Sequence, residues 1–61
     1  MKTITTTGDP NTLNSVRVPK TQEFHDHEEV RIESTDQNSH VIRTIFRVVD
    51  AGEDKWELQF D

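Results

Sequence analysis

Cysteine is absent from all 61 residues, so neither a disulfide framework nor a thiolate zinc site can supplement the core, and nothing implies an oxidising compartment. Glycine is nearly absent too, and Gly8 and Gly52 stand too far apart to form a loop that cradles a phosphate. No serine sits in a nucleophile-elbow pattern. No segment approaches the roughly 20 apolar residues of a membrane helix, and Met1 to Gly8 has no apolar run fit for a signal peptide. A cytoplasmic protein without a membrane partner is expected. A chain this short buries only about 60% of its unfolded surface and encloses a pocket with difficulty. Neither catalysis, a cofactor nor a small-molecule substrate is expected.

Positive charge is also scarce. Seven basic against twelve acidic residues leave a net charge of −5, which opposes non-specific nucleic-acid binding through a generally positive surface. Any DNA contact therefore needs locally clustered arginines. The negative charge gathers at the C-terminus, where Asp50, Glu53, Asp54, Glu57 and Asp61 face only Lys55, a composition suited to a basic partner.

What is present is mainly period-2 alternation. The first fourteen residues are threonine-rich and broken by Gly8, Asp9, Pro10 and Asn11, so they are expected to be poorly ordered, with Lys2 to Thr7 a short strand at most. Ser15 to Val18 alternates until Pro19 removes a backbone donor, which suits an edge strand. Thr21 to Glu28 has Phe24 as its only large apolar residue and reads as a loop or a single turn. Val30 and Ile32 alternate with Arg31 and Glu33, and the polar run Ser34 to Ser39 suits a hairpin loop. His40 to Val49 forms the longest strand, Asp50 to Asp54 a turn, and Trp56, Leu58 and Phe60 alternate with Lys55, Glu57 and Gln59.

These elements predict a single mainly β domain spanning residues 1–61, a small antiparallel sheet or barrel of four to five short strands. Its C-terminal part, residues 50–61, is an acidic, aromatic strand or tail. The expected core joins Val30, Ile32, Ile42, Phe46, Val48, Trp56, Leu58 and Phe60, closed by Val16 and Val18. On the opposite face Val41, Ile45 and Val49 would form an exposed apolar strip, for which a homodimer seam is the economical explanation.

Three constellations could carry chemistry. His25 and His27 alternate beside Asp26, Glu28 and Glu29, and with His40 they could approach a metal, but the spacing matches no strong motif and a solvated loop is the simpler reading. Arg31, Arg43 and Arg47 fall on strands expected to be neighbours, where they form either a basic stripe or cross-strand pairs with Glu29, Glu33 and Glu57. Trp56, Leu58 and Phe60 are either the last core strand or anchors of an acidic peptide that docks into a basic groove.

Asn14-Ser15-Val16-Arg17-Val18-Pro19, followed by Glu28-Glu29-Val30-Arg31-Ile32-Glu33, resembles the swapped-hairpin domain of AbrB-type regulators and MazE-type antitoxins over about half the chain. The resemblance implies two chains interlaced into one dimeric barrel, with Asn14, Ser15 and Arg17 contacting operator DNA. It also implies an acidic, aromatic C-terminal segment that covers a toxin's nucleic-acid-binding surface. Three features depart from the family pattern: the helix that follows the proline is shortened to Lys20 to His27, Gly8 to Leu13 replaces the usual lead-in, and the C-terminal tail alternates like a strand.

The leading expectation is a non-enzymatic DNA-binding regulator or antitoxin, homodimeric, with Asn14, Ser15 and Arg17 on DNA. The alternative is an acidic inhibitor that occupies the basic groove of a target enzyme. Glu53, Asp54, Trp56, Glu57, Leu58 and Phe60 are the candidate protein-binding residues in either case, and no metal site is expected.

Overall fold

The computed structural model describes residues 1–60. Five strands, β1 (Thr3–Thr6), β2 (Ser15–Pro19), β3 (Glu29–Ser34), β4 (His40–Gly52) and β5 (Lys55–Phe60), form one nearly closed, barrel-like sheet in the order β1-β3-β4-β5-β2, with no helix among the described residues. The antiparallel meander β3–β4–β5 is its centre, and β2 adds antiparallel to β5. The sheet is not antiparallel throughout: β1 lies parallel to β3, with Ile4 opposite Ile32. Parallel neighbours need a long crossover, and the chain between β1 and β3 serves as one by forming β2 on the way.

The core consists of Ile4, Val18, Phe24, Val30, Ile32, Ile45, Leu58 and Phe60, with Leu13, Val16, Val41, Val48 and Trp56 packed against it. The alternation of β3 and β5 therefore predicts their inward faces correctly. In β4 it does not. Ile45 is fully buried, whereas Ile42 and Phe46 are 49% and 52% exposed, the reverse of the pattern expected for an uninterrupted strand. Val41 packs inward with Ile45, so the predicted outer strip of Val41, Ile45 and Val49 does not exist as such.

The cause is a β-bulge. Ile45 pairs with Phe60 and Arg47 with Gln59, leaving Phe46 as an extra residue that opposes nothing on β5. Such an insertion shifts the phase of every residue beyond it. Residues 41, 43 and 45 turn inward before the bulge, and Val48, opposite Leu58, turns inward after it. Asp26 accommodates the bulge by accepting the Val48 N–H at 2.8 Å, while the His27 N–H bonds the Ile45 carbonyl at 2.7 Å. Phe24, in the same polar loop, drops into the core at that end of the barrel.

The opposite end is covered by the segment between β1 and β2, with Pro10 buried and Leu13 against the core. Arg43 holds it there. Its guanidinium donates to the carbonyls of Pro10, Asn11 and Leu13 at 3.2, 3.3 and 2.7 Å and stacks 5.2 Å from the centre of the Phe60 ring. Arg43 thus belongs to the fold and not to a basic stripe with Arg31 and Arg47. Arg31 pairs along its own strand with Glu33 at 3.1 Å, and Glu57 faces Arg17.

Candidate functional site

Because β2 and β5 pair side by side, the residues expected to bind DNA and those expected to bind protein lie on adjacent strands. Ser15 stands opposite Gln59 and Arg17 opposite Glu57 on the outer surface, while Val16 and Val18 turn inward. Asn14 precedes them, exposed, and its carbonyl accepts the Phe60 N–H at 2.9 Å. The Arg17 side chain is 68% exposed, with its Nε 3.8 Å from Glu57 Oε1.

The bulge in β4 completes this surface from the other side of β5. Ile45 and Val48 face inward, so two successive residues, Phe46 and Arg47, face outward next to Gln59. The outer face of β2–β5–β4 thereby carries Ser15, Arg17, Lys55, Gln59, Phe46 and Arg47, with Glu57 as its carboxylate. A chain of net charge −5 gathers there Arg17, Arg47 and Lys55 beside Glu57, while the Asp26 carboxylate borders the bulge at the Val48 N–H. Neither Phe46 nor the bulge is visible as a functional signal in the alternation; both follow from the phase reversal that only the pairing with β5 reveals.

The acidic C-terminal set divides. Leu58 and Phe60 are buried in the core and are not available as docking anchors. Trp56 is half-buried beneath Lys20, whose Nζ lies 4.5 Å from the ring centre, and its indole N–H is buried with no acceptor among the described residues. Glu53 and Asp54 are exposed at the two-residue turn between Gly52 and Lys55, both in left-handed conformation, φ 52° and 59°. Two positive φ values are what a type I′ hairpin requires, and Asn-Gly meets that requirement with less strain than Glu-Asp. Asp50 beside the turn accepts the Gly52 N–H at 2.9 Å and the Lys20 ammonium at 2.9 Å, and these two contacts, the backbone bond first, hold its carboxyl below the usual range. Asp61 lies outside the described residues.

The histidines do not assemble. His25 and His27 are exposed in the loop before β3, and His40 opens β4 opposite Glu33 at the far end of the sheet. Among the described residues no group of three or more His, Asp or Glu side chains is placed to hold a metal ion. Glu28 in the same loop is engaged with Lys2 at 3.1 Å and with the His25 N–H at 3.0 Å. Burial pushes its carboxyl upward, but these contacts outweigh that and hold it below the ordinary glutamate value.

Two surface grooves accompany this architecture. One, about 260 Å³, lies between the unpaired edges of β1 and β2 and is lined by Thr3, Thr5, Val18, Thr21 and Phe24 among others. The second, also about 260 Å³, is polar and sits at the β3–β4 loop beside Arg31, Asn38 and His40. No helix among the described residues is long and apolar enough to cross a membrane. No protein-family model, no curated protein and no solved structure matches this chain.

Proposed function

We propose that the chain is a non-enzymatic DNA-binding module that contacts its ligand through the outer face of β2–β5–β4. The observation that carries this reading is the bulge, which sets Phe46 and Arg47 side by side on the outer face, with Arg47 across β5 from Ser15 and one step along from Arg17. Arginines on such a face neutralise phosphates. The exposed Phe46 ring beside Arg47 offers a stacking platform for an unpaired base, which favours single-stranded DNA. Asn14 and Ser15 add hydrogen-bonding groups beside the backbone track. The swapped-hairpin resemblance points to the same three residues of β2 and its approach, and it further requires a homodimer, which light scattering across a wide concentration range would reveal or exclude.

Fluorescence anisotropy with labelled single- and double-stranded oligonucleotides at low salt tests the reading. Arg17→Ala and Arg47→Ala should each weaken binding and each reduce the salt slope of log K by about 1. Absence of binding at about 10⁻⁴ M protein, the weak end of non-specific affinity, would overturn it.

A second reading has its own support in Glu53 and Asp54, two carboxylates held at a hairpin tip in a backbone conformation that glutamate rarely adopts. Here the tip enters a basic groove of a target protein, as an inhibitor or antitoxin segment would. Charge reversal of Glu53 and Asp54 then abolishes binding to that protein, while Arg17→Ala leaves it intact.

A further inference from the structure

The sheet does not close, and its two edge strands border one groove. The strand order leaves β1 paired only with β3 and β2 paired only with β5. The groove between them is bordered by Thr3, Ile4 and Thr5 on one side and Arg17, Val18 and Pro19 on the other, with the Phe24 ring at its end.

The hydrogen-bond phase shows which backbone groups border that groove. In β1 the Lys2 carbonyl accepts from Arg31 N–H and the Thr6 carbonyl from Thr35 N–H. With the parallel register of the pair, this directs residues 2, 4 and 6 towards β3. The N–H and C=O of Thr3 and Thr5 therefore point away from β3, towards the groove. In β2 the Asn14 carbonyl accepts from Phe60 N–H and the Lys20 N–H donates to Asp54. Even-numbered residues thus face β5, leaving the N–H and C=O of Ser15 and Arg17 and the C=O of Pro19 on the groove side. Pro19 stands where its missing N–H costs no ladder bond with β5.

We infer that this seam accepts an extended peptide as a sixth strand, which pairs with Thr3 and Thr5 on one edge and with Ser15 and Arg17 on the other. β1 runs opposite to β2, so the inserted strand is parallel to one and antiparallel to the other. Its backbone supplies most of the recognition, as in other cases of strand addition. Side-chain preference follows from the lining. Residues facing inward meet Ile4, Val18 and Phe24 and are small and apolar; the charged side chain at the groove is Arg17, which selects an acidic residue facing outward. Unpaired strand edges also invite aggregation, and Pro19 limits this on the β2 side by removing one donor.

The seam shares Ser15 and Arg17 with the proposed DNA face, and it is distinguished from it by Thr3 and Thr5 on one side and by Phe46 and Arg47, which lie across β5, on the other. The probe is a capped hexapeptide, Thr-Asp-Val-Asp-Val-Thr, titrated into the full-length protein and followed by amide resonances and hydrogen exchange. In the free protein the Thr3, Thr5, Ser15 and Arg17 amides should exchange fast and the Ile4, Thr6, Val16 and Val18 amides slowly. With peptide at about 1 mM, a concentration that detects even weak association, the first four should become protected. An N-methyl group on the central peptide amide should weaken binding at least tenfold, and Lys in place of Asp should weaken it severalfold.

Thr5→Pro removes a groove-side donor without touching the β3 ladder, so it should abolish peptide binding and leave oligonucleotide binding unchanged. If this variant does not fold, the N-methylated peptide makes the same test. Protection of the Thr3 and Thr5 amides in the free protein, equal binding of the N-methylated peptide, or resonance changes confined to Phe46 and Arg47 would each overturn the inference. Oligonucleotide protecting the seam amides in place of the peptide would also overturn it, assigning the seam to nucleic acid.

Discussion

The two halves of β4 carry similar residue types and do opposite things with them. Before the bulge, Ile45 is core and Arg43 turns inward to strap the segment between β1 and β2 onto the barrel end. Beyond it, the adjacent Phe46 is half exposed and Arg47 faces outward on the surface shared with Arg17. Neither propensity nor hydrophobicity separates Ile45 from Phe46 or Arg43 from Arg47. One extra residue separates them, because it opposes nothing on β5 and lets two neighbouring side chains face the same way. The same device serves both the fold and the proposed binding face.

The largest effect that can break this comparison is in the core pair. Ile45→Ala removes a fully buried side chain and should destabilise the protein by about 2–5 kcal/mol. Phe46→Ala, one residue away, should stay within about 0.5 kcal/mol, as surface substitutions do. Urea unfolding with unchanged m-values measures both. Equal losses would mean that Phe46 is buried in solution, by a partner or by a second copy, and the phase reversal would lose its meaning.

Next in size is the arginine pair. Arg43→Ala leaves the carbonyls of Pro10, Asn11 and Leu13 without their charged donor and uncovers the Phe60 ring, so a loss of about 1.5–3 kcal/mol is expected, the range for bonds to charged groups. Arg47→Ala should leave stability within about 0.5 kcal/mol and lower DNA affinity. An Arg43→Ala protein as stable as the parent would show that the strap does not contribute to folding.

Most of the meander was legible because its alternation is clean: Val30, Ile32, Leu58 and Phe60 face inward as their spacing predicts, and Pro19 lies on an edge strand as its chemistry requires. Period 2 misplaces Ile42 and Phe46 because it assumes an uninterrupted strand, and nothing within β4 marks the insertion. Its acceptor, Asp26, lies in a loop 22 positions away. Ile4 and Phe24 escape the core pattern for a related reason: each is a lone apolar side chain among polar ones, and only the fold supplies its neighbours. The parallel pairing of β1 with β3 could not be seen, since alternation specifies faces and not partners. Arg17 enters the proposed face through a resemblance of local pattern, whereas Phe46 and Arg47 enter it only through the bulge.

The smallest expected effect distinguishes the two ends of β4 by acid. Asp36, in the loop that leads into it, accepts the Gly8 N–H and the Ser34 hydroxyl, each at 2.9 Å, and these hold its carboxyl below the ordinary value, the backbone bond foremost. Asp50, near the other end, is held low by the Gly52 N–H and then by Lys20. Both groups titrate lower when folded, so their stabilisation is present in full above the ordinary aspartate value of about 3.9 and disappears as pH falls through the depressed native values. Only the difference between folded and unfolded chains counts, however, and the two aspartates differ in that respect. The Asp36–Gly8 bond joins segments 28 positions apart and is lost on unfolding. The Asp50–Gly52 bond spans two positions and persists in part in an unfolded hairpin. Carboxyl resonances should show both native midpoints below the ordinary value, and Asp36→Asn should flatten the acid slope of the urea midpoint more than Asp50→Asn does. The reverse order would mean that Lys20, the long-range partner of Asp50, outweighs the backbone bonds, and that the binding-face end of β4 is tied down by charge.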